Sequence, residues 1–354
     1  MRKALTICLA ALGLGAVVSV AVSAPPDHPA LLSVWRSIFA RPDVTSASIP
    51  TPPDNPLSPA KIELGRILFH DTRLSGDRNR SCATCHRIER GYSDGRRLGA
   101  GLNGSDLAWN VPGLSNLAWS KRFFWDGRAS SLEEQSHGPI LNPNEMAGNW
   151  PEITRRLLRD PGLTALFTEA FPDAASSGAP VTPQRIVEAL AAYQRTLVSP
   201  PTRFDRFIAG DPEALTGIEQ QGFSLFVGRA GCVACHGGWR FTDDRLHDIG
   251  LPVSPNPDTG QPSTAFKTPG LRELTHTAPY FHDGSKATLE EVIEHYNNGF
   301  VRRPELSSNI VRDLNLTDAE RQALVAFLKA LSSEKPGVQK DAAGPQSAGV
   351  VTVP

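Results

Sequence analysis

Cys82-Ala83-Thr84-Cys85-His86 is followed 150 residues later by Cys232-Val233-Ala234-Cys235-His236, a second copy of the motif Cys-x-x-Cys-His. In this motif the two cysteines form thioethers with the vinyl groups of a haem, and the histidine ligates the haem iron. A structural zinc site would need four converging ligands, and a dithiol redox pair has no use for the adjacent histidine. The two motifs therefore predict two covalently bound haem c groups.

The N-terminus has the pattern of a secretory signal peptide. Met1-Arg2-Lys3 precedes an apolar run from Ala4 to Val22, and small residues follow up to Ala24. A basic start, an apolar run and small residues at the end are typical of such a signal, so we predict cleavage after Ala24 and a periplasmic location. The alternative is a retained membrane anchor, since the apolar run is nearly long enough to span a bilayer. No basic stop-transfer segment follows it, and we expect no anchor after cleavage of residues 1–24.

Cysteine usage and charge narrow the classes of partner. Cys8 lies in the predicted signal peptide and the other four cysteines belong to the two motifs, so none remains for a disulfide, although an exported protein could form one. Without Arg2 and Lys3, 34 basic residues stand against 37 acidic ones, a formal charge of −3. That balance argues against a nucleic-acid partner, which requires a basic surface, and it is compatible with a protein partner.

The chain is predicted to be mostly α-helical, with long loops that wrap the cofactors. It contains 30 glycines and 30 prolines, and no long alternation of apolar and polar residues indicates a sheet. The last predicted helix begins at Thr317 with Glu320 three residues on, which is the pattern of a capping box. The predicted helices are Ser58–Phe69, Pro151–Ala170, Pro183–Thr196, Thr216–Val227, Leu289–Asn297 and Thr317–Leu331.

A shift of 157 residues superimposes one segment of the chain on another. Residues 111–134 and 268–291 then share ten of 24 positions, where chance would give about one or two. The chain is therefore predicted to contain two haem domains related by internal duplication. The predicted organisation is an N-terminal arm at 25–54, a first domain at 55–200, a second domain at 201–335 and a disordered tail at 336–354.

The two copies differ at the position that can ligate the second face of an iron. The 157-residue shift places Pro139 opposite Tyr296. Proline has no side-chain atom that can bind iron, whereas tyrosine can bind it as a phenolate. We therefore predict a six-coordinate second haem, with His236 and Tyr296, and a first haem with His86 and an open face. An open iron can react with oxygen or peroxide, and a closed one stores and passes electrons.

In these motifs and in their order, residues 54–335 resemble the bacterial diheme cytochrome c peroxidase and MauG family. The resemblance implies two cytochrome-c-like helical domains with one calcium ion between them. Besides both haem motifs, the segments that carry it are Leu64–Phe69, Arg73–Ser75, Phe124–Ala129, Leu132–Gln135, Asn142–Met146 and Ala278–Gly284.

Within that family, the residue at the position of Tyr296 separates two branches. Ordinary diheme peroxidases have methionine there, and MauG-like enzymes have tyrosine. Apart from the initiator, Met146 is the only methionine of this chain, and it lies in the other domain. The resemblance is therefore closest to the MauG-like branch, in which the second haem helps to hold a high-valent state. The alternative is that Tyr296 is a buried core residue.

The resemblance assigns further roles position by position. Trp125 aligns with the tryptophan between the two haems, where an indole can relay electrons. Glu145 aligns with the carboxylate that moves a proton during O–O cleavage, and Gln135 and Pro139 align with residues that line the pocket of the first haem. The implied calcium ligands are oxygens of Asn110, Thr277 and Pro279.

The resemblance also bears on whether the first haem must be activated before it can react with peroxide. Many ordinary diheme peroxidases are dormant until a loop histidine leaves the first haem. No histidine lies between His86 and His137. His137 is therefore the nearest candidate for such an iron ligand. The alternative is that His137 is a surface or pocket residue. We expect a first haem that can react with peroxide without prior reduction.

Three functions remain as alternatives. A MauG-like oxidase would use hydrogen peroxide to oxidise a partner protein, and the resemblance implies that this oxidation could modify the partner's tryptophans. A diheme cytochrome c peroxidase would reduce peroxide to water with electrons from a small cytochrome c or cupredoxin. A pure electron carrier would need two six-coordinate irons, which Pro139 argues against. We favour the first.

Overall fold

A computed structural model describes residues 29–173, 178–256 and 260–339. The predicted signal peptide lies outside the described residues. Within the described part, no helix is both long and apolar enough to cross a bilayer. The α-helices in these ranges are α1 (Pro29–Phe39), α2 (Pro59–His70), α3 (Cys82–Cys85), α4 (Leu132–Leu141), α5 (Trp150–Leu158), α6 (Pro161–Ala170), α7 (Pro183–Arg195), α8 (Arg203–Ala209), α9 (Gly217–Val227), α10 (Leu289–Glu294) and α11 (Asp318–Lys329).

In the residues that the structure describes, strands are few and short. They form two antiparallel pairs, β1 with β4 and β2 with β3, in the loop between the second haem motif and the second repeat segment. The strands are β1 (Leu246–Asp248), β2 (Ser254–Pro255), β3 (Pro262–Ser263) and β4 (Ala265–Lys267). The prediction of a mostly helical protein is therefore confirmed.

Individual helices differ from the prediction in two places. The stretch predicted as one helix over 151–170 forms α5 and α6, because Pro161 begins a new helix after the N-cap Asp160. The stretch over 289–297 is α-helical to Glu294 and continues as a π-turn over His295–Gly299. Helices α1, α3, α4 and α8 are not among the predicted ones, and α4 contains Pro139, a residue that normally argues against a helix interior.

Two separate hydrophobic cores lie behind the two haem motifs. The first is built by α2, α6 and α7, with fully buried Leu64, Phe167 and Ile186. The second is built by α8, α9 and α11 around a group of phenylalanines, several of which meet edge to face. These cores agree with the two predicted haem domains, whose boundaries at 55–200 and 201–335 stay a prediction.

The N-terminal arm packs on the second core, although the first domain follows it in sequence. Phe39 at the end of α1 is fully buried and stacks on Phe241 with ring centroids 5.1 Å apart. It also meets the rings of Phe204 and Phe223 edge to face at 5.8 Å. Burying one phenylalanine side chain contributes about 1.5–3 kcal/mol, so the arm is an integral part of the second domain's core.

The internal duplication is visible in the closest helix contacts. A Cβ on Gly65 of α2 would lie 1.9 Å from the carbonyl oxygen of Ala189 in α7. At the position 157 residues later, a Cβ on Gly222 of α9 would lie 1.9 Å from the carbonyl oxygen of Ala323 in α11. Both helix pairs therefore approach to a distance that only glycine permits.

The described part of the C-terminal tail, up to Gln339, is bound to the molecule. The backbone N–H of Gln339 donates to Val198 O at 2.8 Å, and its side-chain oxygen accepts from Arg41 at 2.6 Å. Residues far away in sequence supply the partners of this segment, and the disordered tail at 336–354 stays a prediction. Residues 340–354 lie outside the described residues.

Candidate functional site

One cavity of about 790 Å³ reaches both Cys-x-x-Cys-His motifs. Its volume lies within the range of cofactor and ligand sites. Its wall includes the cysteines and the histidine of each motif, together with Trp125 and Tyr296. The motifs therefore face a common interior space, as two neighbouring cofactors would require.

The two motif histidines are oriented in the same way. Nδ1 of His86 lies 2.7 Å from Tyr92 O, and Nδ1 of His236 lies 2.8 Å from Phe241 O. When Nδ1 carries the proton and donates it to the carbonyl, Nε2 is unprotonated and its lone pair can bind a metal. Burial lowers the pKa of both histidines, so both imidazoles are available in the neutral form that binds iron.

The motif cysteines are poorly suited to dithiol redox chemistry. Burial raises the pKa of Cys82 and of Cys232 to about 12, and a redox dithiol needs an accessible thiolate. A structural zinc site would need four converging ligands, whereas each motif supplies two cysteines and one histidine. Together with the orientation of the histidines, this makes the cavity fit a pair of covalently attached haems.

Near the second motif lie three side chains that could bind a metal, but two of them already have hydrogen-bond partners. Ligand atoms of Cys235, Asp243 and His247 lie within 4.8 Å of one another. His247 Nε2, however, contacts Asp243 Oδ2 at 2.8 Å, and its Nδ1 contacts Ser307 Oγ at 3.0 Å. A structural zinc site would need a fourth ligand, and Cys235 is also the second thioether cysteine of its motif.

Tyr296 lies in the π-turn that follows α10, and it faces the cavity beside the second motif. Its ring meets those of Phe281 and His295 edge to face, with centroids 6.1 and 5.2 Å away. Burial raises the pKa of Tyr296, and the nearby Cys232 and Cys235 raise it further. A ferric ion would oppose these effects, because a bound cation favours the phenolate.

The corresponding helix of the first domain presents no ligand atom at the same position. Gln135 and Pro139 of α4 both line the cavity, one helical turn apart, and Glu145 lines it just beyond the helix. Asn142 Nδ2 donates to Glu145 Oε1 at 2.8 Å and so orients the carboxylate. The structure therefore brings the predicted pocket residues of the first haem together.

His137 is directed away from this pocket. It lies on another face of α4, does not line the cavity, and meets the ring of Trp150 edge to face at 5.3 Å. Residues two positions apart on a helix do not share a face, so His137 cannot accompany Gln135 and Pro139 toward the first motif. Of the two alternatives for His137, the geometry favours packing over iron ligation.

Trp125 is held by residues of both domains. Its indole N–H donates to Asn110 O at 2.8 Å, and its carbonyl accepts from Lys267 N at 2.7 Å. Its ring centroid is 6.5 Å from that of His282, the residue at the equivalent repeat position. Burial lowers the pKa of His282 to about 4, so this imidazole is neutral at pH 7. The 157-residue repeat pairs His282 with Trp125, but no short motif indicates a role for this histidine.

The residues implied as calcium ligands belong to both domains. Asn110, Thr277 and Pro279 all line the cavity. Asn110 Nδ2 donates to Arg96 O at 2.9 Å, which leaves the amide oxygen as its ligand atom. A Cβ on Gly91 would lie 2.8 Å from Thr277 Cγ2, so Thr277 packs directly on a loop of the first domain. Oxygen donors of this kind could hold calcium.

Comparisons with known proteins agree with this arrangement. The family model described as di-haem cytochrome c peroxidase matches residues 59–213, and the cytochrome c model matches residues 220–332. The chain is 43% identical over 311 residues to the methylamine utilization protein MauG of Methylorubrum extorquens, covering 86% of each chain. It is 35% identical over 338 residues to the cytochrome-c peroxidase IdrP1 of Denitromonas iodatirespirans, covering 83% of this chain and 87% of that one.

A solved structure shows the same fold. The crystal structure of a MauG-like protein associated with microbial copper homeostasis superimposes with a TM-score of 0.73 at 33% sequence identity. The match covers 86% of this chain and 95% of that chain. Both cytochrome-c-like domains therefore have counterparts in known proteins.

Proposed function

Because the chain belongs to the di-haem cytochrome c peroxidase and MauG family, we propose that it is a MauG-like enzyme that uses hydrogen peroxide to oxidise a partner protein. Its general class of activity follows from the family: it is a haem-dependent oxidoreductase with two haem c groups. When bound, the two haems supply iron centres that can take up the oxidising equivalents of peroxide. We also propose export to the periplasm, on the pattern of residues 1–24.

The observation that carries the proposal is the asymmetry between two equivalent helices. Tyr296 and Pro139 occupy the same position of the repeat, and both line the same cavity. Tyr296 would ligate the second iron and, as an anionic oxygen donor, would favour its oxidised form. Pro139 and Gln135 would shape an open pocket at the first iron. One centre can then react with peroxide while the other stores an oxidising equivalent.

Glu145 is the proposed catalytic acid and base of the open pocket. Cleavage of the O–O bond requires a group that removes a proton from one peroxide oxygen and delivers it to the other. Asn142 donates to Oε1 of Glu145, and the carboxylate oxygens are the atoms that would carry this proton. A hydrogen-bonded carboxylate in the wall of a mostly apolar cavity is suited to this step.

Trp125 is the proposed connection between the two centres and the partner. It lies in the wall of the shared cavity and is hydrogen-bonded across the domain boundary. A protein substrate cannot enter a cavity of this size, so its electrons must pass through side chains. The relatives named for methylamine utilization and for copper homeostasis suggest a dehydrogenase or a copper-binding protein as the partner, with its tryptophans as the sites of oxidation.

The second candidate is a cytochrome c peroxidase that reduces hydrogen peroxide to water. The similarity to IdrP1, which spans most of both chains, favours it. Its electrons would come from a small cytochrome c or cupredoxin. The two candidates share the first haem pocket and differ in what the second haem stores and in which protein donates the electrons.

Electron paramagnetic resonance of the fully oxidised protein tests the proposed asymmetry. We expect one high-spin ferric haem, at the open first site, and one low-spin ferric haem, ligated by His236 and Tyr296. Two low-spin signals would contradict the open first site. Mass spectrometry of candidate partners after incubation with peroxide and the enzyme then separates the two functions, because only the MauG-like oxidase leaves a modified tryptophan.

A further inference from the structure

An aspartate lies close in sequence to the carbonyl group that orients each motif histidine. Nδ1 of the first histidine lies 2.7 Å from Tyr92 O, and Asp94 follows Tyr92 by two residues. Nδ1 of the second lies 2.8 Å from Phe241 O, and Asp243 follows Phe241 by two residues. Tyr92 and Phe241 also share a left-handed backbone, with φ of 63° and 59°. Each haem motif is therefore followed by the same turn, with an aspartate at the same place.

The two turns hold one carboxylate oxygen in the same way and the other one differently. Oδ1 of Asp94 accepts from Arg96 N, and Oδ1 of Asp243 accepts from Arg245 N, both at 2.9 Å. Oδ2 of Asp94 is buried without a hydrogen-bond partner among the described residues. Oδ2 of Asp243 instead lies 2.8 Å from Nε2 of His247 in β1. A histidine therefore fixes the carboxylate of the second turn.

Asp243 places a negative charge beside the attachment point of the second haem. A carboxylate oxygen of Asp243 lies within 4.8 Å of Sγ of Cys235, the second thioether cysteine of its motif. The neighbouring Asp244 contacts Arg240 at 2.6 Å and Lys267 at 3.5 Å, so its charge is compensated. In the part of the chain that the structure describes, no lysine or arginine lies within 4.0 Å of the carboxylate of Asp243.

Hydrogen bonds keep Asp243 ionised without cancelling its charge. Burial would raise the pKa of Asp243, but the bonds from Arg245 N and His247 outweigh burial and lower this pKa. The other ring nitrogen of His247 lies 3.0 Å from Ser307 Oγ, a hydroxyl that can donate to it. A neutral imidazole can therefore donate from Nε2 to Asp243, and the pair then retains one negative charge.

We propose that Asp243, oriented by His247, lowers the reduction potential of the second haem and so stabilises its oxidised form. Oxidation removes one electron from the haem and adds one positive charge, which a nearby carboxylate favours. A half-buried position limits the screening of this interaction by salt. Groups around the ligands of a metal tune its potential in this way. The inference rests on the proposed function, since it explains how the second haem would store an oxidising equivalent.

Electron paramagnetic resonance during a redox titration of the holoprotein tests the inference, because each haem loses its ferric signal at its own midpoint potential. Asp243→Asn keeps an oxygen that accepts from Arg245 N and removes the charge. We expect it to raise the midpoint of the low-spin second haem more than that of the first haem. Asp94→Asn is the matched control. It changes the equivalent aspartate of the first domain and should leave the midpoint of the second haem close to that of the unmodified protein.

A conservative replacement separates charge from packing. Asp243→Glu retains a carboxylate, and we expect its midpoint to lie closer to that of the unmodified protein than the midpoint of Asp243→Asn does. The inference is overturned if Asp243→Asn raises the midpoint of the second haem no more than Asp94→Asn does, or if Asp243→Glu and Asp243→Asn shift it equally. The proposed function fails on a different observation, two low-spin signals in the unmodified protein. Asp243→Asn should then still raise one midpoint that Asp94→Asn leaves unchanged.

Discussion

At the scale of single residues, the proposed chemistry depends on what each domain places above its iron. Tyr296 and Pro139 have the same position in the repeat, and both reach the cavity. The π-turn over His295–Gly299 adds a residue to the helical turn that carries Tyr296, and such turns are frequent at functional sites. The first domain has a regular helix through Pro139. The two haem sites therefore differ by a side chain and by the backbone that presents it.

Replacement of Tyr296 by phenylalanine tests the ligand assignment. Phenylalanine keeps the ring and its edge contacts with Phe281 and His295 but removes the oxygen. We expect the low-spin ferric signal of the second haem to be lost and the oxidised state formed with peroxide to decay faster, as measured by stopped-flow absorbance. Tyr280→Phe is the control, because Tyr280 also lines the cavity but donates its hydroxyl to Leu274 O at 3.0 Å. Identical spectra for both variants would contradict the assignment.

Replacement of Glu145 by glutamine tests the proton-transfer step. Glutamine retains the size and the contact with Asn142 but cannot accept a proton at neutral pH. We expect the first haem to react with peroxide about 10²–10⁴-fold more slowly, with normal haem content. Glu134→Gln serves as the control, since Glu134 caps the start of α4 through Ser130 and lies outside the cavity. Equal rates for the two variants would remove Glu145 from the mechanism.

At the scale of elements, the duplicated unit is a pair of helices in close contact behind each haem motif. Gly65 of α2 and Gly222 of α9 allow the backbones of α7 and α11 to approach. The helices that carry Pro139 and Tyr296 also match, since α4 begins at the N-cap Ser131 and α10 at the N-cap Thr288. The repeat therefore preserves the scaffold of each haem and varies the residue that faces the iron.

Alanine at Gly222 tests the importance of the close helix contact. The added methyl group would collide with Ala323 O, so α9 and α11 must separate, and we expect a loss of about 1–3 kcal/mol in the free energy of unfolding. Gly217→Ala on the same helix is the control, because a Cβ there meets no atom within 4 Å. That variant should be neutral or more stable by up to about 1 kcal/mol. Denaturant unfolding of the holoprotein measures both, and equal stabilities would contradict the prediction.

At the scale of the whole molecule, the two domains are joined around Trp125. The indole of Trp125 donates to Asn110 O, while Asn110 N donates to His282 O at 2.7 Å. Asn110 is also one of the proposed calcium ligands, together with Thr277 and Pro279. A calcium ion at this position would therefore fix the ring that is proposed to connect the two haems.

Removal of calcium tests this connection. Incubation with a chelator should lower the melting temperature and slow electron exchange between the haems, because Asn110 would lose the ion that holds it and Trp125 with it. Calcium should restore both properties and magnesium should not, since the smaller ion requires stricter octahedral geometry. Calorimetry and the time course of reduction of each haem measure the two effects. A protein that contains no calcium when purified, and does not respond to it, would contradict the site.

The N-terminal arm and the described part of the tail add a second connection between the domains. Arg41, which follows α1, donates to Ser199 O at 2.6 Å and to Gln339 at the described end of the tail. Its guanidinium also lies 5.8 Å from the ring centroid of Trp239, just after the second haem motif. Burial lowers the pKa of Arg41 to about 10, which still leaves it charged at neutral pH. These contacts join the N-terminal arm and the tail near Gln339 to both domains.

Much of the site could be predicted because its signals are local in sequence. A haem motif needs two cysteines and a histidine within five residues, and the repeat alignment alone placed Pro139 opposite Tyr296. The fold class followed from helical stretches separated by loops rich in glycine and proline. Helix α4 was not predicted, because a proline such as Pro139 normally interrupts a helix. Its helical conformation depends on tertiary packing, which a local pattern does not show.

The sequence by itself therefore determined the two haem attachment sites, the duplication and the difference between its two copies, because each depends on residue types at fixed spacing. Only the tertiary structure decided that both motifs open into one cavity, that Phe39 belongs to the second core and that His137 faces away from the pocket. These features depend on which distant segments meet, and hydrophobic packing and hydrogen bonds between distant segments leave no short pattern in a single chain.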